Sequence, residues 1–435
     1  MNPLQSARPL IVYLDFKSPY AYLAVRPTMA MARELGIAID WRPFVLDIPS
    51  YLGSAKLDQS GRVVEQQRSA EQWSGVKYAY FDCRRYASLD GLTVRGTVKI
   101  WDTNLVAVGM LWARQQGDAI LERYIHGVYA PFWKRQLDVE DSAVIQQMLT
   151  AAGAEVSGFE SYARGPGAAE NAALQQAAFS AGIFGVPSYV VGGQLYFGRE
   201  HLPRIRWHLD GEQGPAPDIG YVLPEQMLTG AGGEGAASDR SLEVCIDFKS
   251  PQSYLAVAPT LALAAELGIA VDWQPKLAAA LKRPAAPAAG DDRGTAHRRL
   301  RAAYLAADLA RYAPHPLADV HADFDASVAA MGLLWLRRRS PAAVDDYVQR
   351  TFVRYWRHGL AIDTVAAVVQ VLTELGIDGS DFAGFASGPG PAALQASERA
   401  LGARGVMATP TYLLGDEPFL GRQHLPLLRA RLTGY

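Results

Sequence analysis

The chain of 435 residues contains only two cysteines, Cys83 and Cys245, and they form no CxxC pair. So few cysteines imply no disulfide framework, and we expect both thiols to be packing residues. No stretch is apolar for long enough to cross a bilayer, and the first residues, MNPLQSARPL, lack the apolar core of a signal peptide. The formal net charge of -2 offers no basic surface to nucleic acid or an anionic membrane. We therefore expect a cytoplasmic protein that binds neither.

The chain does contain an internal repeat. The segment LDFKSPYAYLAVRPTMAMARELGIAIDWRP recurs as IDFKSPQSYLAVAPTLALAAELGIAVDWQP, 232 positions later. Further on, GVPSYVVGGQLYFGREHLP recurs as ATPTYLLGDEPFLGRQHLP with a shift of 223 positions, so the second copy is nine residues shorter in its middle. The repeat predicts two tandem domains, at residues 9–210 and 241–435. A linker rich in Gly and Pro is predicted between them, at residues 211–240.

Each copy is predicted to begin with a βαβ unit and to end with a hairpin and a helix. In the first copy, LIVYLDF and IAIDWRPF are typical of strands, and a helix begins between them at a Ser-Pro pair. Residues 60–180 show mainly helical spacing of apolar residues. PSYVVGG and LYFG predict a hairpin, and REHLPRIRWHL predicts the last helix. This order predicts an α/β fold with a helical insertion in each copy.

The Ser-Pro pair occurs twice, as Ser18-Pro19 and as Ser250-Pro251. A serine at this place caps the backbone of the helix, and that role alone is sufficient to explain the residue. Its hydroxyl also lies beside the positive end of the helix dipole, where it can donate a hydrogen bond to an anion. Both serines are therefore candidate catalytic residues, with capping alone as the alternative.

A second repeated pair precedes the hairpin, as Val186-Pro187 and as Thr409-Pro410. A trans proline would only mark the start of a strand. A cis proline would turn the backbone of the preceding residue outward, where a strand edge can bind an extended peptide. The sequence leaves both possibilities open.

The last helix of each copy begins with a charged turn. Arg199 recurs as Arg422, whereas Glu200 is replaced by Gln423. These charged residues are equally well explained by exposure to solvent at the start of a helix or by a role in binding a ligand. The neighbouring side chains lack the spacing of metal ligands, and we expect no metal.

The pattern Y-x-x-x-D-x-x-R-x-A also occurs in both copies, beginning at Tyr78 and at Tyr304. Its Asp and Arg are three residues apart, which predicts an ion pair on one face of a helix, Asp82 with Arg85 in the first copy. We interpret the pair as structural or as a wall of the site.

The order of strand, Ser-Pro-Tyr helix start, helical insertion and Val-Pro hairpin resembles the thioredoxin-like fold in its DsbA-like form. The motifs DFKSPYAYLA, KYAYFDCRRYA and GIFGVPSYVVGGQLYFGREHL are similar to those of the 2-hydroxychromene-2-carboxylate isomerase and kappa-class glutathione transferase family. The resemblance covers nearly all of the first copy and most of the second. It implies two tandem thioredoxin-like (DsbA-like) domains, each with a helical insertion, and glutathione as the cofactor.

In DsbA-like oxidoreductases this helix begins with CxxC, but Ser18 and Ala21 occupy those positions here, and Ser250 and Ser253 occupy them in the second copy. The resemblance therefore argues against dithiol-disulfide redox chemistry. In the isomerase and transferase family the serine faces the sulfur of glutathione, and this role falls on Ser18 and Ser250. A hydroxyl donor and a helix N-terminus both stabilise a thiolate.

The resemblance also implies what holds the rest of glutathione. The family's residue before the cis-proline pairs with the glutathione backbone, and its acidic residue at the start of the last helix holds the γ-glutamyl group. The positions implied as cofactor contacts in this chain are Val186, Pro187, Arg199, Glu200, Thr409 and Pro410.

Two departures separate the chain from the family. No Asn-x-Pro-Pro-like glutathione segment follows the second strand, where VLDIPSYLGSAK stands instead. The second copy has Gln252 in place of Tyr20, besides the Gln at position 423. We therefore expect the first copy to hold the better site and the second to be degenerate or specialised. The two copies are expected to form an intramolecular pseudo-dimer in place of the family's homodimer.

The expected function is that of a glutathione-dependent isomerase or transferase acting on an electrophilic aromatic or unsaturated small molecule. Ser18 would stabilise the thiolate, and Tyr20, Phe44 and Trp112 would form apolar walls for the substrate. Two alternatives stay open. One is a thiol-independent enzyme in which Ser18 or Arg199 acts directly on the substrate, and the other is a non-catalytic ligand-binding protein on the same scaffold.

Overall fold

The computed structural model describes residues 2–53, 55–57, 63–227 and 241–434. By their contacts these residues form two compact units. The first unit comprises the described part of Met1–Pro224 together with Pro287–Leu300, and the second comprises the described parts of Glu225–Ala286 and Arg301–Tyr435. The last part of the predicted linker, residues 228–240, lies outside the described residues.

The first unit contains a four-stranded sheet, a separate two-stranded pair and a series of helices. Its strands are β1 (Leu10–Leu14), β2 (Ile39–Pro43), β3 (Ala55–Leu57), β4 (Val63–Gln66), β5 (Ser188–Val191) and β6 (Gln194–Phe197). Its helices are α1 (Pro19–Glu34), α2 (Ile48–Leu52), α3 (Ala70–Leu89), α4 (Asn104–Gln115), α5 (Asp118–Trp133), α6 (Ser142–Ala151), α7 (Phe159–Arg164), α8 (Pro166–Ser180), a 3₁₀ turn (Arg199–His201) and α9 (Leu202–Leu209).

The second unit repeats the four-stranded sheet and most of the helices, with a 3₁₀ turn (Glu225–Met227) before its first strand. Its strands are β7 (Ser241–Ile246), β8 (Ala270–Pro275), β9 (Thr411–Leu414) and β10 (Glu417–Leu420). Its helices are α10 (Pro251–Leu267), α11 (Arg293–Tyr312, whose first residues belong to the first unit), α12 (Ser327–Arg339), a 3₁₀ turn (Pro341–Ala343), α13 (Val344–Trp356), α14 (Val365–Glu374), α15 (Phe382–Ser387), α16 (Gly390–Ala403), a 3₁₀ turn (Arg422–His424) and α17 (Leu425–Leu432).

The strand order of the main sheet brings one end of each of its four strands to the same edge. In the first unit the order is β2-β1-β5-β6, with β1 parallel to β2 and antiparallel to β5, and with β5 antiparallel to β6. The carboxyl ends of β2, β1 and β6 and the amino end of β5 therefore lie side by side. The second unit has the matching order β8-β7-β9-β10. These sheets and their helical insertions confirm the predicted α/β class in both copies.

The local patterns of the sequence account for these elements. All five residues of β1, LIVYL, are buried, as expected for a central strand covered on both faces. The insertion predicted at residues 60–180 is mostly helical, from α3 to α8. The short antiparallel pair of β3 and β4 was not predicted, and its second strand lies inside the predicted insertion. Among the described residues, no helix combines the length and the apolar composition that crossing a bilayer requires.

Strand β2 carries a buried ion pair in its middle. Arg42 Nη2 lies 2.6 Å from Asp40 Oδ2, and both side chains are 3% exposed. Arg114 of α4 reaches the other oxygen of Asp40 at 2.8 Å. Burial by itself would raise the pKa of Asp40, but the hydrogen bond from Arg42 and the charge of Arg114 outweigh it, and the pKa is lowered. A lowered pKa means that this pair stabilises the fold above about pH 4 and loses its effect as the pH falls through that lowered value.

We expect Asp40→Asn to lower the free energy of unfolding of the first unit by about 3 kcal/mol, because it leaves a buried guanidinium without its counter-charge. The matched change in the second unit is Asp272→Asn. Asp272 is 37% exposed and pairs with Arg337, so its loss should cost at most about 1 kcal/mol. Amide hydrogen exchange of β1–β2 and β7–β8 peptides measures the two units separately. Equal losses in the two units would contradict the assignment of a buried, stabilising pair to β2.

Candidate active site at one edge of the first sheet

Ser18 joins the Ser-Pro pair of the first unit to its Val186-Pro187 pair. It directly precedes α1, and its Oγ accepts the N–H of Ala21 at 3.2 Å, which confirms the predicted N-cap with Pro19 as the first helical residue. The same hydroxyl donates to the carbonyl oxygen of Val186 at 3.4 Å. The Val186-Pro187 bond is cis, which decides the alternative that the sequence left open. Ser18 itself is 5% exposed.

The second unit repeats this geometry with one difference. Ser250 Oγ accepts the N–H of Ser253 at 3.1 Å, and the Thr409-Pro410 bond is also cis. Its hydroxyl has two acceptors within reach, the carbonyl oxygen of Thr409 at 3.5 Å and Gln252 Oε1 at 3.3 Å. The side-chain oxygen of Gln252 therefore competes for the proton of Ser250. In the first unit the matching residue is Tyr20, whose hydroxyl donates to Asp82 instead.

The loops around Ser18 are fixed by a buried carboxylate, that of Asp15. Its Oδ1 accepts the backbone N–H of Lys17 at 3.2 Å and the hydroxyl of Thr103 at 2.7 Å. Its Oδ2 accepts the N–H of Leu46 at 2.7 Å. One side chain thus ties the Ser-Pro turn to the loop after β2 and to the start of α4.

Sequence reasoning missed this residue, although a signal was present. The repeated stretch DFKSP contains the acid in both copies, and Asp247 accepts the backbone N–H groups of Lys249 at 3.0 Å and of Ala278 at 2.8 Å. Burial raises the pKa of Asp247, while its backbone hydrogen bonds lower it, and the net shift is upward. A short acidic side chain between a strand and a helix start was the available clue.

A cavity of about 590 Å³ lies next to the Ser-Pro turn. Lys17, which precedes Ser18, lines it together with Asp47, Trp101 and Arg293. The Lys17 Nζ donates to the carbonyl oxygen of Trp101 at 3.3 Å, which brings the loop before α4 against the turn. Trp101 was not among the predicted wall residues, because its counterpart in the second copy is Phe324 and the repeat therefore did not mark it as a tryptophan.

The three predicted wall residues lie in different places. Tyr20 is half-buried against α3, Phe44 is 2% exposed and packs edge-to-face on Tyr13, and Trp112 donates to the carbonyl oxygen of Glu155 at 2.6 Å. None of the three is among the residues that line the 590 Å³ cavity. A role as substrate walls stays a prediction for them.

A buried polar cluster lies behind the start of α1. The Tyr20 hydroxyl donates to Asp82 Oδ2 at 3.4 Å, and Arg85 pairs with Asp82 Oδ1 at 2.9 Å, which confirms the predicted ion pair on α3. Asp308 and Arg311 repeat the pair at 2.8 Å. Burial, together with the nearby Cys83 and Asp82, raises the pKa of Tyr20 well above its usual value. This phenol therefore stays protonated and acts as a hydrogen-bond donor.

Neither cysteine of the chain offers a reactive thiolate. Both Cys83 and Cys245 are fully buried. Burial raises the pKa of Cys83 well above the ordinary value of a thiol, and it raises the pKa of Cys245 to about 12. A thiol nucleophile at this site therefore has to come from a ligand. The described residues contain no cluster of His, Cys, Asp and Glu that could hold a metal ion.

The turn after β6 is enclosed by the beginning of the predicted linker. The guanidinium of Arg199 lies between the rings of Tyr86 and Tyr221, 4.4 and 4.0 Å from their centroids. Gly220 donates its N–H to the carbonyl oxygen of Glu200 at 2.9 Å. Tyr221 is 6% exposed, so this part of the linker is packed against the first unit. Because the segment is rich in Gly and Pro, it was interpreted as a linker, and a packing role for Tyr221, its one aromatic residue, was not predicted.

Two features of this turn bear on ligand binding. The Nε and Nη2 atoms of Arg199 are buried and have no hydrogen-bond partner among the described residues. Gly198 has a φ of +109°, and a Cβ there would lie 2.3 Å from Glu200 Oε2, so the carboxylate lies directly over this glycine. In the second unit Gln423 replaces the acid and donates to the carbonyl oxygen of Leu420 at 2.7 Å.

The sheet topology orders these groups along one edge. The loop from Val45 follows β2, Ser18 follows β1, Val186 precedes β5, and the turn of Glu200 follows β6. Ser18 and the predicted cofactor contacts of the first copy, which are up to 182 residues apart in the chain, therefore lie along the same edge. Ser18 has the loop after β2 on one side and Glu200 on the other.

Comparison with known proteins places this architecture in a family. The model of the DSBA-like thioredoxin domain matches residues 9–210 and 241–433. The chain belongs to the DSBA-like thioredoxin domain family. Two matches in tandem confirm the predicted duplication of a DsbA-like domain.

Individual relatives cover one domain. Over 201 residues the chain is 27% identical to the 2-hydroxychromene-2-carboxylate isomerase of Sphingobium xenophagum, over 45% of this chain and 95% of that protein. A solved structure of a selenomethionine 2-hydroxychromene-2-carboxylate isomerase is 26% identical, over 44% of this chain and 94% of its own, with a TM-score of 0.37. The cytosolic disulfide reductase DsbM of Pseudomonas aeruginosa, solved with GSH, is 19% identical over 44% and 96%, with a TM-score of 0.33. The curated relative confirms the predicted resemblance to a 2-hydroxychromene-2-carboxylate isomerase over one domain.

We expect Asp15→Asn to destabilise the first unit by about 2 kcal/mol, because an amide NH₂ would face at least one of the three donors that the carboxylate now accepts. Exchange of the Leu46 amide hydrogen should accelerate, since its acceptor is lost or turned away. Asp247→Asn, the matched change, should leave that amide unchanged. Unaltered exchange at Leu46 in Asp15→Asn would show that the carboxylate does not hold the loop.

Proposed function

We propose that the protein is a glutathione-dependent isomerase or transferase that works at the Ser18 edge of the first unit. Its substrate is an electrophilic aromatic or unsaturated small molecule. The observation that supports this most is the position of the Ser18 hydroxyl, at the N-terminus of a 16-residue helix and in contact with Val186. The similarity to a protein named as an isomerase over one domain supports the same class of reaction.

The residues of this edge fit a thiol-bearing peptide. The 590 Å³ cavity has the size of small-molecule sites, which span about 300–1,000 Å³. The unpartnered N–H donors of Arg199 suit a carboxylate, and the acidic side chain of Glu200 suits an ammonium group. These are the two charged groups at the γ-glutamyl end of glutathione.

When bound, glutathione supplies a nucleophilic sulfur that can add to an electrophilic carbon and, in an isomerisation, leave it again after bond rotation. Ser18 Oγ turns its proton from the carbonyl oxygen of Val186 towards the ligand and stabilises a negative charge there. The positive end of α1 acts in the same direction, and together they lower the pKa of a bound thiol. Tyr20 stays protonated and keeps Asp82 in place.

The second unit is the weaker candidate for the same chemistry. The hydroxyl of Ser250 has a competing acceptor in Gln252, and the turn after β10 carries Gln423 where the first unit has an acid. An ammonium group therefore finds no counter-charge at that position. We infer that the first unit provides the main activity.

We expect Ser18→Gly to raise the pKa of the bound thiol and to slow the reaction. Glycine is tolerated at a helix N-cap at a cost of a few tenths of a kcal/mol, so the helix is retained while the hydroxyl is removed. A hydrogen bond to a charged group contributes about 1.5–3 kcal/mol, so the pKa of the bound thiol should rise by about one to two units. The rate of glutathione addition to a model aromatic electrophile should fall about ten- to a hundredfold for the same reason.

Titration of the ultraviolet absorbance of the thiolate, with glutathione bound to the full-length protein, measures this shift. Ser250→Gly is the matched control and should leave the thiol pKa at the first site unchanged and its rate within about twofold. An unchanged thiol pKa in Ser18→Gly would contradict the role of the hydroxyl. Turnover that needs no thiol would instead favour direct action of the protein on its substrate.

A further inference from the structure

A segment of the second repeat is part of the first unit. Residues 287–300 belong to the first unit by their contacts, although they lie in the shortened middle of the second copy. The ring of His297 stacks on Tyr51 with 3.8 Å between centroids and an angle of 5°, and it is 8% exposed. Gly294 packs so closely that a Cβ there would lie 2.0 Å from the carbonyl oxygen of Ser50. The segment therefore packs directly against α2, which follows the loop after β2.

This packing presents one cation to the cavity. The guanidinium of Arg293 lies over the ring of Phe179 at 4.2 Å, and its Nε lies 3.5 Å from Asp47 Oδ2. The Arg293 side chain is 33% exposed and lines the 590 Å³ cavity beside Lys17. The stacking contact and the long ion pair orient the guanidinium while leaving donors available.

Asp47 is paired with Arg293 itself, and the two remaining charged side chains of the cavity have partners elsewhere. The ammonium of Lys17 is 7% exposed, donates to the carbonyl oxygen of Trp101 and lies 3.7 Å from Asp15 Oδ2. Asp102, which also lines the cavity, accepts both the backbone and the side-chain N–H groups of Asn104. Arg293 is therefore the group best placed to meet an anionic ligand on this side.

The position along the sheet edge indicates which part of a ligand reaches it. Glu200 and Arg199 follow β6, on one side of Ser18, whereas Asp47 and Arg293 lie at the loop after β2, on the other side. This is also the loop that lacks the glutathione segment expected from the family. When an extended thiol tripeptide places its sulfur at Ser18 and its amino-acid end at Glu200, its other end reaches the loop after β2.

We propose that Arg293 binds the carboxylate at the end of the thiol cofactor farthest from Glu200, which in glutathione is the glycyl carboxylate. A segment of the second repeat thereby completes the site of the first unit and replaces the missing segment after β2. This inference rests on the proposed function. It gives the second repeat a use that does not depend on chemistry at its own serine.

Calorimetric titration of the full-length protein with glutathione and with its glycyl monoethyl ester tests the inference. A hydrogen-bonded ion pair in a half-exposed site predicts that wild type binds the ester about tenfold more weakly than glutathione. Arg293→Ala should bind glutathione about tenfold more weakly than wild type and should no longer distinguish it from the ester. Arg293→Met keeps an apolar stem on Phe179 and should show the same loss of discrimination.

Arg298→Ala is the matched control. Arg298 lies one turn further along α11, is exposed, and bonds to Thr295 rather than lining the cavity. It should keep the tenfold discrimination of wild type. Discrimination that persists in Arg293→Ala and Arg293→Met overturns the inference but leaves the proposed function in place. Failure of wild type to bind glutathione overturns both.

Discussion

The candidate site depends on one buried carboxylate between a strand and a helix. Asp15 accepts hydrogen bonds from the loop after β2, from the start of α4 and from its own turn, and its backbone carbonyl accepts the N–H of Ser18 and the hydroxyl of Tyr129. Its carboxylate and carbonyl therefore fix where the serine lies relative to its surroundings. In the second unit Asp247 likewise accepts the N–H groups of its own turn and of Ala278 in the loop after β8, but Ala326 and Phe352 replace the hydroxyl donors Thr103 and Tyr129.

The sequence predicted those features whose causes are local. Helix spacing, the cap at Ser18 and the ion pair of Asp82 with Arg85 follow from neighbours within a few residues, and all three were found. The features that were missed join distant parts of the chain. Asp15 bonds to partners 31 and 88 positions away. Arg293 reaches the loop after β2 from the other repeat, a contact that no periodicity or motif within the first copy could reveal.

The two copies show how a duplicated scaffold can keep its backbone while its side chains diverge. Both retain the capped helix, the cis-proline and the strand order. They differ in the residue after the Ser-Pro pair, in the acid of the last turn and in the burial of the ion pair of the second strand, Asp40 against Asp272. The backbone features are therefore retained while side chains of both the core and the candidate site differ, and the first unit is the one in which we expect the better site.

The most direct test of the account is a crystal structure of the full-length protein with glutathione. We expect the sulfur within hydrogen-bonding distance of Ser18 Oγ, because the hydroxyl is proposed to donate to the thiolate. We also expect the peptide to run along the edge between Glu200 and the loop after β2. Glutathione bound only at Ser250, or an edge at Ser18 that stays empty at saturating glutathione, would contradict the central claim.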